Sequence, residues 1–170
     1  LSFASKGFDR RVFKLLKYPQ GKFMNSAAID QTATQADILP EDLLRADMYG
    51  FLATLLRGEP SDELLNTVVS IKGDPSAIGS ASSILATLAG KLSGDEVRDE
   101  YMRLFIGVGR GEILPYASYY LTGFLNDKPL ANLRNDMAEF GIERADGVKD
   151  PEDHIASLFD IMSGMIRGAF

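Results

Sequence analysis

The sequence contains no cysteine, no tryptophan and only one histidine, His154. Without a thiol the chain has neither disulfides nor thiolate chemistry, and one histidine is too few ligands for a zinc site. No apolar run approaches the roughly 20 residues of a membrane-spanning helix, and no apolar signal-peptide core precedes a small-residue cleavage site. We therefore expect a cytoplasmic protein with no bound metal, no cofactor and no stable membrane insertion.

Acidic side chains outnumber basic ones, and the two kinds are unevenly distributed. The net charge is −6, yet residues 1–23 hold six basic side chains and one acidic side chain. The acidic remainder argues against a nucleic-acid partner, because phosphate binding depends on Lys and Arg. An acidic surface would accelerate encounters with a basic peptide. Acidity that serves only solubility is the alternative.

Apolar residues recur at helical spacing through most of the chain, without the sustained alternation of a strand. Prolines, glycines and capping residues divide this pattern into six or seven helices. The 170 residues suit one domain, so we expect an all-α fold, a single compact helical bundle. The polar segment 24–38 predicts a linker, which gives a basic N-terminal extension and linker at 1–38 and a helical domain at 39–170.

The same spacing predicts which residues face the core in two of these helices. The helix after Asp74 and Pro75 is expected to bury Ala81, Leu85, Leu88 and Leu92, and a later helix Leu130, Leu133, Met137 and Phe140. Asp150 and Pro151 are predicted to open the last helix, because they fit the preferences for the N-cap and the first helical position.

The glycine-rich segment 107–111, Gly-Val-Gly-Arg-Gly, does not match a phosphate-binding loop. A dinucleotide fingerprint needs a glycine at position 112, after a strand, and a P-loop needs a terminal Gly-Lys-Ser/Thr. Three glycines instead permit a helix end and a tight reversal. A loop that faces a peptide is the main alternative, and a phosphate site is a weaker one.

Residues 115–120, Pro-Tyr-Ala-Ser-Tyr-Tyr, place three tyrosines close together. Tyrosine combines a large apolar area with a polar tip, which suits adaptable contacts with a peptide. Tyr116 and Tyr120 are also four residues apart, so they fit one buried helix face, with Ser118 as a local cap. The sequence leaves both interpretations open.

Glu152, Asp153 and His154 precede the last apolar stretch of the chain. Acidic residues are favoured in a first helical turn, which explains both carboxylates without a ligand. In a groove, the same carboxylates would accept bidentate hydrogen bonds from peptide arginines. No serine stands in a nucleophile-elbow context, so we expect no catalytic residue; an acid/base enzyme that uses His154 is an alternative.

Four motifs follow one another along the second half of the chain. They are Tyr101-x-x-Leu104-Phe105-x-Gly107, Pro115-Tyr116-x-Ser118-x-Tyr120-Leu121, Pro129-Leu130-x-x-Leu133-Arg134-x-Asp136 and Pro151-Glu152-Asp153-His154-Ile155-Ala156. In this order they resemble the TorD/DmsD/NarJ family of maturation chaperones for molybdenum-containing redox enzymes. The resemblance implies a TorD-like helical fold without enzymatic activity. It also implies binding of the twin-arginine signal peptide or the folded body of a precursor, which assists cofactor insertion and delays export.

Carried over residue by residue, the resemblance implies a peptide-binding site. Its residues are Tyr101, Leu104, Phe105, Gly107, Pro115, Tyr116, Ser118, Tyr120, Glu152, Asp153 and His154. Relatives usually continue beyond the last apolar helix seen here. We therefore expect either that C-terminal helices are missing from this sequence or that a homodimer, including a domain-swapped one, covers that helix. A generic all-α interaction module is the alternative from another functional class.

Overall fold

The computed structural model describes residues 38–145 and 148–170, and the chain is helical in these ranges. The α-helices are α1 (Pro40–Leu56), α2 (Asp62–Val69), α3 (Ala77–Ala89), α4 (Gly94–Tyr101), α5 (Ala117–Thr122), α6 (Lys128–Glu139) and α7 (Ile155–Arg167). The predicted all-α class is confirmed. Residues 1–37 of the predicted extension lie outside the described residues. No described helix is both long enough and apolar enough to span a membrane.

The described helices belong to two units. The first unit contains α2, α3 and α4, within Gly58–Ile113, and the second contains α1, α5, α6 and α7. Each unit has its own buried side chains, such as Leu64 and Val68 in the first and Leu130 and Met137 in the second.

In the second unit, α1 packs along α7. Small buried residues of the two helices, including Ala46, Ala53 and Ala156, allow their backbones to approach closely. The hydroxyl of Ser163 on α7 donates a 2.8 Å hydrogen bond to the carbonyl of Ala46 on α1. The guanidinium of Arg57 contacts the buried carboxylate of Asp160, so the pairing is polar as well as apolar.

A small apolar core lies between α6 and α7. Met137, Ile142 and Ile161 are buried there, and Leu133 and Phe170 pack against them. The prediction that Phe140 faces this core is wrong, because its side chain is largely exposed. The chain leaves its helical conformation at Phe140 and turns at Gly141, whose φ is 69°. That reversal directs Phe140 away and brings Ile142 inward.

In the first unit, α2 packs against α3 through a face that the apolar pattern did not indicate. Gly79, Ser82 and Ala86 are the buried residues of α3. The inward orientation predicted for Ala81, Leu85, Leu88 and Leu92 is therefore wrong, since all four are exposed. The physical reason is the size of the side chains. Small side chains allow a close contact between helices, whereas the apolar spacing in the sequence predicted burial of the face with the larger apolar residues.

The last helix begins later than predicted. Residues 150–154 precede it in a non-helical conformation, and α7 starts at Ile155 with His154 as its N-cap. The acidic residues before it are therefore outside its first turn. Their roles depend on contacts with other parts of the chain.

Met137→Ala should lower the free energy of unfolding by about 2–5 kcal/mol, because it leaves a cavity in the α6–α7 core. Phe140→Ala is the matched control and should cost less than about 1 kcal/mol, since the ring is mostly exposed. Urea denaturation of both variants measures the difference. A larger loss for Phe140→Ala would contradict the core as described.

Candidate functional site

Two distant segments meet at a single antiparallel backbone bridge between Tyr116 and His154. The amide of Ala117 donates to the carbonyl of Asp153 at 3.0 Å, and the amide of Ile155 donates to the carbonyl of Pro115 at 2.8 Å. We call residues 115–118 and 152–155 the junction. Because these hydrogen bonds lie at the starts of α5 and α7, the junction fixes the two helix starts side by side.

Asp153 is the central side chain of the junction and is only 2% exposed. Its Oδ2 accepts a 2.9 Å hydrogen bond from the amide of Ser118, in the first turn of α5. The interpretation of Ser118 as a local cap is thus wrong, because the capping carboxylate comes from the other segment. Among the described residues, no partner reaches the buried Ser118 Oγ or Asp153 Oδ1.

His154 caps α7 through its ring. Its Nδ1 accepts a 3.1 Å hydrogen bond from the amide of Ala156, so this nitrogen carries no proton. Burial lowers the pKa of His154 and the charge of Arg57 adds to this effect, while Asp150 and Asp153 oppose it. The ring also meets Tyr116 edge to face, with 5.3 Å between the ring centres. The histidine is therefore a neutral, buried structural element.

Glu152 is buried and held by two arginines of its own chain. Its Oε2 lies 2.8 Å from Nη2 of Arg134, and its Oε1 lies 3.6 Å from Nε of Arg144. Burial alone would raise the pKa of Glu152, but hydrogen bonding and the two positive charges outweigh it and lower the pKa. Both carboxylate oxygens thus already have cationic partners.

Residues 120–125, at the end of α5 and just after it, include four exposed apolar side chains. Leu121 and Phe124 are each 71% exposed, and Tyr120 and Leu125 are exposed as well. We call these four residues the α5 apolar surface. The interpretation of Tyr120 as a core residue is wrong; its ring instead stands edge to face with Tyr119, at 5.6 Å between centres. Clustered exposed apolar groups of this kind mark interaction sites.

The predicted peptide-binding residues do not include Leu121, Phe124 or Leu125. Gly123, with φ 83°, ends α5 after only six residues. A helix this short cannot turn every apolar residue inward. The signal available in the sequence was an apolar stretch interrupted by Gly123 and Pro129, which predicts a short element and hence exposed side chains.

The remaining predicted residues close the end of α4 in the first unit. Met102–Ile106 forms a π-helical turn, and Tyr101 packs on Phe105 with 4.8 Å between ring centres. Gly107, with φ 63°, donates its amide to the carbonyl of Met102 at 2.7 Å. The prediction that glycines end this helix is confirmed. The π-helical turn was not predicted, and such turns are frequent at functional sites.

The predicted peptide-binding residues fall into three groups. The junction brings together Pro115, Tyr116, Ser118, Glu152, Asp153 and His154. Tyr120 belongs to the α5 apolar surface, and Tyr101, Leu104, Phe105 and Gly107 belong to the end of α4. Direct contact with a peptide stays a prediction for every one of them. No group of three His, Cys, Asp or Glu side chains is arranged for a metal ion in the part of the chain that the structure describes.

Comparison with known proteins gives consistent matches. The model of the nitrate reductase delta subunit family matches residues 72–170. The chaperone protein TorD of Vibrio parahaemolyticus is 29% identical over 137 residues, which cover 72% of this chain and 64% of the relative. TorD of Photobacterium profundum is 37% identical over 73 residues, covering 42% of this chain and 34% of the relative. The matched segment thus covers less than two thirds of the length of either relative. Both relatives are named chaperone proteins.

One solved structure also aligns with most of the chain. A protein described as a redox enzyme maturation protein from Archaeoglobus fulgidus aligns over 82% of this chain and 75% of its own. The TM-score is 0.47 and the sequence identity is 16%. The assignment of the family therefore depends on the sequence matches.

Asp153→Ala should lower the free energy of unfolding by about 1–3 kcal/mol, because the amide of Ser118 loses its buried acceptor. Ser118→Ala is the matched control and should change stability by less than about 0.5 kcal/mol, since its hydroxyl has no described partner. Urea denaturation distinguishes the two. Equal losses would mean that Ser118 caps the helix itself.

Protonation of His154 should contribute a loss of stability as the pH drops below 6.5. The unfolded imidazole gains a proton near pH 6.5, whereas the folded one, with a lowered pKa, gains it only at lower pH. The proton uptake therefore favours unfolding between these two values. His154→Asn keeps an acceptor for the amide of Ala156 without titrating. Urea denaturation at several pH values should show the wild type losing stability relative to this variant as the pH drops; a constant difference between the two would exclude the contribution of His154.

Proposed function

Since this chain belongs to the nitrate reductase delta subunit family, as its motifs predicted, we propose that it is a cytoplasmic maturation chaperone. Its partner in this proposal is the precursor of a molybdenum-containing oxidoreductase, bound through its twin-arginine signal peptide and its folded body. The chaperone would assist cofactor insertion and delay export without catalysing a reaction. Family membership comes from the sequence matches, and the mode of binding is argued from the second unit.

The observation that carries the proposed binding mode is the α5 apolar surface on a fixed support. Leu121 and Phe124 are exposed, while the helix that bears Leu121 is held at its start by the buried Asp153. A signal peptide contains an apolar stretch of 7–15 residues. An exposed apolar surface beside a helix that is held at its start suits such a stretch, because less ordering of the protein is then required on binding.

The arginines of the signal need an accessible acceptor, and Asp150 provides one beside the junction. The hydroxyl of Tyr116 donates to Asp150 Oδ1 across 3.4 Å, and Asp150 is exposed. Guanidinium groups form bidentate hydrogen bonds with such carboxylates. Asp150 was not among the residues selected from the motifs. In this proposal it adds an electrostatic contact to the apolar one.

The buried residues of the junction have a different part in the proposal. Glu152, Asp153 and His154 would position α5 and Asp150, since each already has a partner within the chain. Replacing them would then weaken binding indirectly, together with a loss of stability. Replacing a contacting residue would weaken binding without that loss, so the two roles can be separated.

Leu121→Ala should weaken binding of a twin-arginine signal peptide by about tenfold, because one exposed anchor contributes roughly 1–2 kcal/mol. Isothermal titration calorimetry with peptides from candidate molybdoenzymes measures the change. Leu39→Ala is the matched control: it removes an exposed leucine before α1, which is not part of the α5 apolar surface, and should leave the affinity unchanged.

The same titration tests the electrostatic contact. Asp150→Asn should also weaken binding and reduce its dependence on salt concentration. Affinity that is equal in wild type, Leu121→Ala and Asp150→Asn would overturn the proposed surface. Absence of binding to every signal peptide would overturn signal recognition and leave the folded precursor as the partner to test.

A further inference from the structure

The helix α3 carries a second exposed apolar face, which the proposed function does not use. Ile78, Ala81, Leu85, Leu88 and Leu92 are exposed, and Leu88 is 49% exposed. Their spacing alternates between three and four residues, the spacing of the contact line in a two-stranded coiled coil. The amide of Leu92 bonds to the carbonyl of Leu88 at 3.1 Å, so the helical turn continues to the last of them. We call this line the α3 seam.

The seam differs from an ordinary solvent-exposed helix face in its charge. Residues 77–89 include no charged side chain, whereas an exposed helix usually alternates apolar and charged faces. A different side of α3, with Ser82 and Ala86, packs in its own unit. The spacing of the seam suits a helix as its partner, and its composition suits an uncharged one.

We propose that the α3 seam pairs with the α3 seam of a second copy of this chain, antiparallel and about a two-fold axis. The α3 helix of a second copy meets both requirements for a partner, because it carries no charge and its apolar residues have heptad spacing. A two-fold contact uses the same patch on both copies. This proposal does not depend on signal-peptide binding, which was argued from the second unit.

The charges at the ends of α3 favour the antiparallel arrangement. Asp74 precedes the N-cap Ser76, and Lys91 follows the C-cap Gly90. Antiparallel pairing places the Asp74 end of one copy beside the Lys91 end of the other, at both ends of the seam. Parallel pairing would place like charges together. The helix dipoles also oppose each other favourably only in the antiparallel arrangement.

Side-chain size favours one register. When Ile78 faces Leu88 of the second copy, Ala81 faces Leu85, so a small residue stands opposite a large one at the centre. Such alternation lets the two backbones approach closely and the layers interdigitate. The heptad positions of an antiparallel pair predict these contacts in both directions.

Sedimentation equilibrium of the full chain tests the pairing. Wild type should dimerise in the micromolar range, and Leu88→Glu should weaken the dimer at least about tenfold by placing a charge in the seam. Thr87→Glu is the matched control, because Thr87 is exposed and lies outside the seam, and it should dimerise like wild type. Circular dichroism establishes that the variants are folded.

Cysteine cross-linking tests the register, since the chain has no cysteine of its own. An equimolar mixture of Ala81→Cys and Leu85→Cys should form a mixed disulfide under mild oxidation, far more readily than either variant alone. Self-cross-linking of Ala81→Cys alone would overturn the antiparallel register. A wild-type monomer at about 100 µM, or a dimer unaffected by Leu88→Glu, would overturn the proposal.

Discussion

The hydrogen bond between the carboxylate of Asp153 and the amide of Ser118 is the contact that ties α5 to the rest of the second unit. A helix of six residues, such as α5, cannot persist in water alone. Asp153 supplies the acceptor that its first turn lacks, and the backbone bridge at Tyr116 and His154 fixes the adjoining chain. Burying a carboxylate is costly without such partners. Its burial thus couples the start of α5 to the start of α7.

The three consecutive polar side chains at 152–154 are buried, and each is stabilised there in a different way. Glu152 keeps its charge because two arginines face it. His154 remains neutral, and its unprotonated nitrogen accepts the amide of Ala156. Asp153 uses an amide of another helix. Each solution requires a partner that is remote in sequence or a specific helix end, so the segment is stable only within the folded unit.

The helices and the glycine turns were predictable, because both follow from local rules of spacing and backbone freedom. Gly107 and Gly123 end helices as expected, each with positive φ. The buried face of α3, the late start of α7 and the partners of Glu152 and Asp153 were not predictable. Each depends on which distant segment packs there, and close packing selected Gly79, Ser82 and Ala86 over the leucines of the same helix.

The motif residues and the residues that a precursor would contact are largely different in the proposed chaperone. Within the junction, the motif residues Ser118, Asp153 and His154 are buried. Their side chains therefore face the interior of the fold. The side chains that a precursor would reach include Leu121, Phe124 and Asp150, of which only Leu121 belongs to a motif. If binding follows this geometry, the motif residues of the junction form a support for the binding surface. The exposed residues beside this support would then determine which precursor binds, because they are the residues that would contact the signal peptide.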